Sequence, residues 1–177
     1  MRNINIHPLV AGALLVGFVL GQGRVWGADN GTASTNATNG EALVIIVHKS
    51  NPVDNLGADE LRKLCLMERK HWDNGRKVTV VLREPSQPER VLALRDIYGM
   101  KENEFERHFL QGSFTGELQD RPKTLALASA VKRFVFNVPG AIGFVRRSEV
   151  DDTVKVVRLD GHAPSDPEYG LRLAAKH

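Results

Sequence analysis

The pattern of apolar and polar positions predicts strands alternating with helices between residues 42 and 160. Residues 42–47 form a continuous, β-branched apolar run, which is typical of a strand buried on both faces. Further strands are predicted at 77–82, 141–145 and 154–159. Helices are predicted after Gly57 and at 88–98, 102–111 and 124–136. This alternation indicates an α/β fold with right-handed crossovers.

The predicted helices carry apolar side chains at helical spacing, and we expect these to face the core. They are Leu61, Leu64 and Cys65 in the first helix, Val91, Leu94 and Tyr98 in the second, Phe105 and Phe109 in the third, and Leu127, Val131, Phe134 and Val135 in the fourth. Asp59 and Glu60 lie in the first turn after Gly57, where acidic side chains suit the positive end of the helix dipole. The segment 73–75, Asp-Asn-Gly, predicts a turn before the second strand.

The first 27 residues have the pattern of a secretory signal peptide. Arg2 precedes an apolar run of 12 residues, 9–20, which is shorter than the roughly 20 residues that a membrane span needs. Val25 and Gly27 are small residues at the −3 and −1 positions of a cleavage site. We therefore expect a cleaved signal and a periplasmic or secreted protein; the alternative is an uncleaved anchor.

The polar segments that follow and end the chain set the limits of the predicted domain. Residues 28–41 contain no large apolar side chain, and such a segment cannot bury enough surface to offset its ordering entropy. It is interpreted as a disordered leader. The stretch 161–177 is polar and contains proline, and it is interpreted as a C-terminal tail. The folded domain is therefore predicted at 42–160.

Charge and cysteine content exclude some classes of function. The formal net charge is +3, and removal of Arg2 and Arg24 with the signal lowers it to +1. No strong positive field is left to attract nucleic acid. Cys65 is the single cysteine, so no intrachain disulfide can form, and we expect it to be a buried apolar residue.

A series of short motifs occurs in a distinctive order along the predicted domain. It begins with Val-Ile-Ile-Val-His-Lys-Ser-Asn-Pro at 44–52, continues with Trp72-Asp-Asn-Gly-Arg, and ends with Asn137-Val-Pro-Gly-Ala-Ile-Gly-Phe. In order and spacing it resembles one lobe of the phosphate-type (PstS-like) periplasmic substrate-binding proteins of ABC importers. The resemblance implies a single lobe of a type II periplasmic-binding-protein fold, with a mixed, mostly parallel sheet flanked by helices. It also implies packing roles for Trp72, Gly140 and Gly143.

The resemblance places a candidate anion site in the turn at 83–90. A strand end that meets a helix N-terminus exposes free N–H groups and a positive dipole, which suit an anion. In the family this turn typically reads Arg-x-Asp-Gly-Ser-Gly-Thr. Arg83 falls on the family's Arg, Ser86 offers a hydroxyl, and Gln87 lies beside it. However, both glycines are absent, Pro88 has no N–H, and Glu89 puts a negative charge at the helix start. The alternative is a structural turn in which Ser86 and Glu89 form a capping box.

A second group of candidate ligands follows the first strand. His48, Lys49, Ser50 and Asn51 come directly after it, and ligands of open α/β sheets bind beyond the carboxyl ends of strands. Ser50 and Asn51 are therefore added to Arg83, Ser86 and Gln87 as candidate anion ligands. The alternative is that residues 48–51 form an exposed turn without a ligand.

These observations predict a solute-binding-like protein rather than an enzyme. We expect it to bind phosphate or another small anion weakly, since one lobe lacks the contacts of a second, and to work with an ABC permease or as a homodimer. The alternative is an interaction module without a ligand that docks on an envelope or membrane protein. His71 beside Asp73 falls short of the three or four ligands of a zinc site, and no nucleophile, base and oxyanion set is recognisable, so neither metal nor cofactor is predicted.

Overall fold

The computed structural model describes residues 40–118 and 120–174. In these residues six strands form one sheet. The strands are β1 (Leu43–Val47), β2 (Asn55–Leu56), β3 (Thr79–Arg83), β4 (Lys123–Leu125), β5 (Ala141–Arg146) and β6 (Lys155–Leu159). Their spatial order is β2-β6-β1-β5-β3-β4.

The pairing of the strands makes the sheet mixed and mostly parallel, as predicted. Strand β3 is parallel to both β4 and β5, and β2 is parallel to β6. Strand β1 is antiparallel to its neighbours β5 and β6. Strands β3, β4 and β5 therefore have their C-terminal ends on the same side of the sheet, which we call the carboxyl edge. The C-terminal end of β1 lies at the opposite edge.

Four α-helices, one of them continued by a π-helical turn, and one 3₁₀ turn lie between the strands of the described chain. They are α1 (Ala58–Cys65), α2 (Pro88–Ala93) with a π-helical continuation (Leu94–Tyr98), α3 (Glu102–Thr115), α4 (Ala128–Asn137) and a 3₁₀ turn (Arg147–Glu149). The helices predicted after Gly57 and at 88–98 and 102–111 are confirmed. The helix predicted at 124–136 is wrong in its first turn. There the chain pairs with the edge of β3 to form β4, because backbone hydrogen bonds to an open strand edge outweigh local helix preference.

The core lies on both faces of the sheet, and β1 is buried along its whole length, as its apolar run predicts. Helix α4 packs over β5 at Gly143, where an added Cβ would lie 2.8 Å from Cγ1 of Val131. The indole N–H of Trp72 donates to the carbonyl oxygen of Gly140 at 2.9 Å. These contacts confirm the packing roles expected of the three residues.

Two side chains that were expected to face the core are exposed. Val91 is 54 % exposed and Leu127 is 63 % exposed. Leu127 precedes the first turn of α4 as its N-cap, so it does not share the face of Val131. In α2 the buried positions are instead Glu89, Arg90, Leu92 and Ala93. The inner face of α2 is therefore rotated from the predicted one, and it buries two charged residues.

The C-terminal segment contributes to the core. Tyr169, Leu171 and Leu173 are buried, and the Tyr169 hydroxyl donates to the carbonyl oxygen of Leu43 at 2.9 Å. The N–H of Leu43 donates to the carbonyl oxygen of Leu171 at 3.0 Å. The described part of the segment interpreted as a tail thus packs along β1, because its alternating apolar residues give it one buried face.

The structure describes no residue before Gly40. The predicted signal peptide and nearly all of the predicted leader therefore lie outside the described residues. Within residues 40–118 and 120–174, no helix combines the length and hydropathy that a membrane crossing requires.

Candidate functional site

Arg83 is a buried cation at the carboxyl edge. It is the last residue of β3 and is 8 % exposed. Its Nε atom is buried without a hydrogen-bond partner, and its Nη2 atom lies 3.5 Å from Oε1 of Gln87, at the limit of hydrogen bonding. Among the described side chains, no carboxylate forms an ion pair with it. The positive charge of Arg83 is therefore not compensated by an acid of its own.

Arg90 shows how a buried arginine is satisfied in the same region. It is 1 % exposed, and its Nε atom donates to the Glu102 carboxylate at 2.9 and 3.1 Å. Its Nη1 atom lies 3.2 Å from the carbonyl oxygen of Arg83, and its guanidinium lies 4.8 Å from the centroid of the Phe105 ring. Arg90 thus has the partners that Arg83 lacks.

The N-terminus of α4 lies beside Arg83 because of the strand pairing. Leu125 of β4 is in register with Arg83, and α4 begins three residues later at Ala128. Its N-cap is Leu127, which has no side-chain oxygen, and no side chain caps the helix. The first-turn amides of Ala128 and Ser129 therefore have no side-chain acceptor and carry the positive end of the helix dipole.

These groups line one open pocket of about 510 Å³. Its lining residues are Arg83, Leu127, Ala128, Ser129, Lys132, Ser148, Glu149, Val150 and Asp151. The segment 148–151 reaches the pocket because β5 ends at the same edge as β3 and β4. A guanidinium beside free helix amides and a hydroxyl can hold an oxyanion by charge-assisted hydrogen bonds.

Acidic side chains lie in the same pocket. Asp151 accepts hydrogen bonds from the Lys132 ammonium and from the hydroxyl and N–H of Thr153. The bond from Lys132, followed by those from Thr153, lowers the pKa of Asp151 to about 2, so Asp151 is ionised at neutral pH. One oxygen of Glu149 accepts from the N–H of Arg146 at 2.9 Å. The formal charges of Arg83 and Lys132 are therefore cancelled by those of Glu149 and Asp151.

The predicted capping box at the start of α2 is wrong. The N-cap is Gln87 rather than Ser86, and no side chain caps the helix. Ser86 is exposed and has a left-handed backbone conformation, with φ of 69°. Glu89 is 3 % exposed, and its carboxylate pairs with the guanidinium of Arg146. Pro88 has no N–H and the Glu89 carboxylate places a negative charge in the first turn, so the start of α2 suits an anion less than the start of α4 does.

Ser50 and Asn51 lie at the opposite edge of the sheet. Oγ of Ser50 lies 2.9 Å from Nδ1 of His48 and accepts from Nη1 of Arg76 at 2.7 Å. Asn51 is buried and its Oδ1 accepts from the N–H of Val53 at 3.1 Å. Since β1 is antiparallel to β5 and a strand of five residues spans about 17 Å, these residues cannot meet Arg83. The expectation of one shared edge is wrong, whereas Arg83 and Gln87 do lie together.

Five polar pocket residues were not among the predicted ligands: Ser129, Lys132, Ser148, Glu149 and Asp151. Their position depends on β4, since its pairing with β3 brings the start of α4 to Arg83. The pattern of residues 124–136 predicts one continuous helix, and it contains little indication that a helix starts at Ala128. A helix without a capping residue at its N-terminus is also hard to recognise from sequence.

Comparison with known proteins identifies the fold. No family model matches the chain. An ABC-type phosphate transport receptor from Vibrio cholerae matches with a TM-score of 0.55, at 22 % identity over 72 % of this chain. A candidate phosphate ABC transporter substrate-binding protein from Clostridium perfringens, with bound phosphate, matches with a TM-score of 0.58, at 24 % identity over 72 % of this chain. The chain has the fold of these phosphate ABC transporter proteins over part of their length.

The match covers half or slightly less of each of these neighbours. It spans 50 % of the Vibrio cholerae protein and 48 % of the Clostridium perfringens protein. PstS from Borrelia burgdorferi gives the same picture, with a TM-score of 0.55, 14 % identity and 50 % of that chain covered. The resemblance seen in the sequence is thus confirmed at the level of fold, for a partial domain.

Proposed function

We propose that this chain is a periplasmic or secreted single-lobe solute-binding protein that binds a small anion in the pocket between Arg83 and α4. The observation that carries the proposal is the guanidinium of Arg83, which is 8 % exposed and has no carboxylate partner in the described chain. The neighbours' names, which refer to phosphate transport and substrate binding, support the class of ligand.

The physical argument concerns the cost of an unpaired buried cation. Removing an arginine side chain from water costs several kcal/mol unless a counter-charge or hydrogen-bond acceptors replace the water. At Arg83 the acceptors are one distant amide oxygen, and the neighbouring helix end adds positive rather than negative potential. An anion bound between them would be attracted by both groups. Binding is expected to be weak, because the acidic residues of the pocket cancel its formal charge.

The test is a titration of the full chain with inorganic phosphate at low ionic strength, followed by isothermal calorimetry and by NMR shifts of the amides at the start of α4. Binding should saturate and should be lost in Arg83→Met. Arg133→Met removes the same charge from the exposed face of α4 and serves as the matched control. Phosphate binding that survives in Arg83→Met, or its absence from the wild type at millimolar phosphate, would contradict the proposal.

A second candidate function is protein docking, which an apolar groove favours. A cavity of about 590 Å³ lies between the end of α2 and the start of α3, and Val91, Leu94 and Met100 are among its lining residues. Val91 is 54 % exposed there, and Phe114 on α3 is 83 % exposed. An ABC permease, another envelope protein or a second copy of the chain would bury such side chains. Val91→Asp should then abolish a specific complex without changing anion binding.

A further inference from the structure

The pocket at Arg83 has a volume and an apolar wall that the binding of inorganic phosphate does not require. Its volume, about 510 Å³, falls within the range of pockets that hold organic ligands rather than a single small ion. Its wall includes the apolar side chains of Leu127 and Val150. Leu127 is 63 % exposed, so this apolar surface is free to contact a ligand.

The charges of the pocket also disagree with a doubly charged anion. Glu149 and Asp151 line the same space as Arg83 and Lys132, so the site has no net formal charge. Lys132 is held by Asp151 and is therefore not available in full to a ligand. A phosphate dianion would be attracted by Arg83 and the helix amides but repelled by two carboxylates within the same pocket.

The two carboxylates would instead accept hydrogen bonds from a cationic or hydrogen-bonding group of the ligand. Asp151 is ionised at neutral pH and exposed, and the bonds that it accepts from Lys132 and Thr153 leave one of the roughly four lone-pair sites of a carboxylate for a ligand. The arrangement thus has an acceptor end at segment 149–151 and a donor end at Arg83, Ala128 and Ser129. A ligand with opposite charges on a short carbon skeleton would satisfy both ends.

We propose that the pocket binds a small zwitterionic carboxylate of the amino-acid type, whose carboxylate contacts Arg83 and the start of α4 and whose ammonium contacts Asp151 and Glu149. This inference rests on the proposed function, because it assigns a ligand class to the same anion site. Inorganic phosphate is then a weak occupant of the carboxylate position.

The experiment compares alanine, propionate and inorganic phosphate on the full chain by NMR shifts of the amides at the start of α4. Alanine and propionate share a carboxylate and a three-carbon skeleton and differ in the ammonium group. The ratio of their dissociation constants therefore measures the contribution of the acceptor end. Alanine should bind about two- to fivefold more tightly than propionate or phosphate, since a charged pair at an exposed carboxylate such as Asp151 contributes only about that factor.

The decisive variant is Asp151→Asn, which removes an acceptor and releases Lys132. Alanine should then bind about two- to fivefold more weakly, while phosphate should bind more tightly, because the pocket gains one positive charge. Asp152→Asn makes the same charge change at an exposed neighbour that does not line the pocket, and it should leave both affinities unchanged.

The outcomes separate this inference from the proposed function. If phosphate or propionate binds as tightly as alanine and the binding depends on Arg83, the zwitterionic ligand class is wrong and the proposed anion site still stands. Absence of alanine binding overturns the inference whatever phosphate does. Absence of all three ligands would overturn both. An alanine affinity that is unchanged in Asp151→Asn would also refute the assignment of the acceptor end.

Discussion

Arg83 and Arg90 allow one prediction that separates a binding residue from a structural one. Both side chains are buried, at 8 % and 1 % exposed, and they stand seven positions apart in the chain. Arg90 has a bidentate carboxylate partner and a carbonyl acceptor, whereas Arg83 has neither. Substituting each by methionine, which is apolar and flexible, should therefore change the free energy of unfolding in opposite directions.

The expected magnitudes follow from these partners. Arg83→Met removes an unpaired charge that lost most of its hydration and that faces the positive end of α4. We expect a gain of about 1–3 kcal/mol in the free energy of unfolding. Arg90→Met removes charge-assisted bonds to Glu102 and leaves the Arg83 carbonyl without this donor. It should cost about 2–4 kcal/mol, near the lower end of values for buried pairs because Glu102 is partly exposed and can be rehydrated.

The assays are urea unfolding and thermal unfolding in a buffer without phosphate or amino acids, both followed by circular dichroism. A change of 1 kcal/mol should move the melting temperature by about 3–4 °C in a domain of this size. Arg83→Met should melt at a higher temperature than the wild type and should lose anion binding. If Arg83→Met lowers the free energy of unfolding by more than about 1 kcal/mol, Arg83 is a structural residue, and the reasoning behind the anion site fails.

Four further outcomes are expected. Arg146→Ala leaves the carboxylate of Glu89 buried without its partner and should cost about 3 kcal/mol in chemical denaturation, whereas Arg147→Ala, next to it and exposed, should cost less than about 1 kcal/mol. Tyr169→Phe removes the hydrogen bond to Leu43 and should cost about 1 kcal/mol by the same assay. Gly140→Ala places a Cβ 2.0 Å from the carbonyl oxygen of Lys77 and should prevent native folding, as seen in the NMR spectrum. The pKa of Asp151 is lowered to about 2 from 3.8, so its stabilising effect is complete above pH 3.8 and is lost as the pH falls toward 2; an acid titration of Asp151→Asn should lack this component.

Most of the fold could be predicted from the sequence because its elements have strong local patterns. The apolar run of β1 is buried throughout, and α1 begins after Gly57 with Asp59 and Glu60 in its first turn. The turn before β3 contains Gly75 with φ of 77°, as its Asp-Asn-Gly sequence suggests. In each of these elements the signal comes from neighbouring residues, so a single sequence is sufficient.

The parts that were missed depend on partners far away in the chain. Strand β4 exists because β3 offers an open edge, and β2 is a two-residue strand that pairs with β6 about a hundred residues later. The burial of Glu89 depends on its ion pair with Arg146, which lies 57 positions away in the chain. The packing of 169–173 along β1 likewise joins the two ends of the domain.

The same dependence explains why the candidate site was only partly predicted. The resemblance indicates Arg83, but it places the other ligands in the turn that follows Arg83. In the structure, Glu89 supplies a negative charge at the start of α2, and Arg146 pairs with one of its carboxylate oxygens, while Oε2 of Glu89 is buried without a hydrogen-bond partner. A buried pair of this kind gives α2 what a bound anion would otherwise give it.

The candidate anion site is instead at the start of α4, where the N-cap is leucine and the nearest buried cation is Arg83. Helices α2 and α4 both begin at the carboxyl edge; the first turn of α2 contains a carboxylate, that of Glu89, whereas the first turn of α4 contains none. A protein that had given up ligand binding altogether would gain stability by replacing Arg83 with an apolar residue or by adding a capping residue at 127. Neither change is present, and a buried arginine without a carboxylate partner among the described side chains, beside uncapped amides, is the strongest physical reason to look for a ligand there.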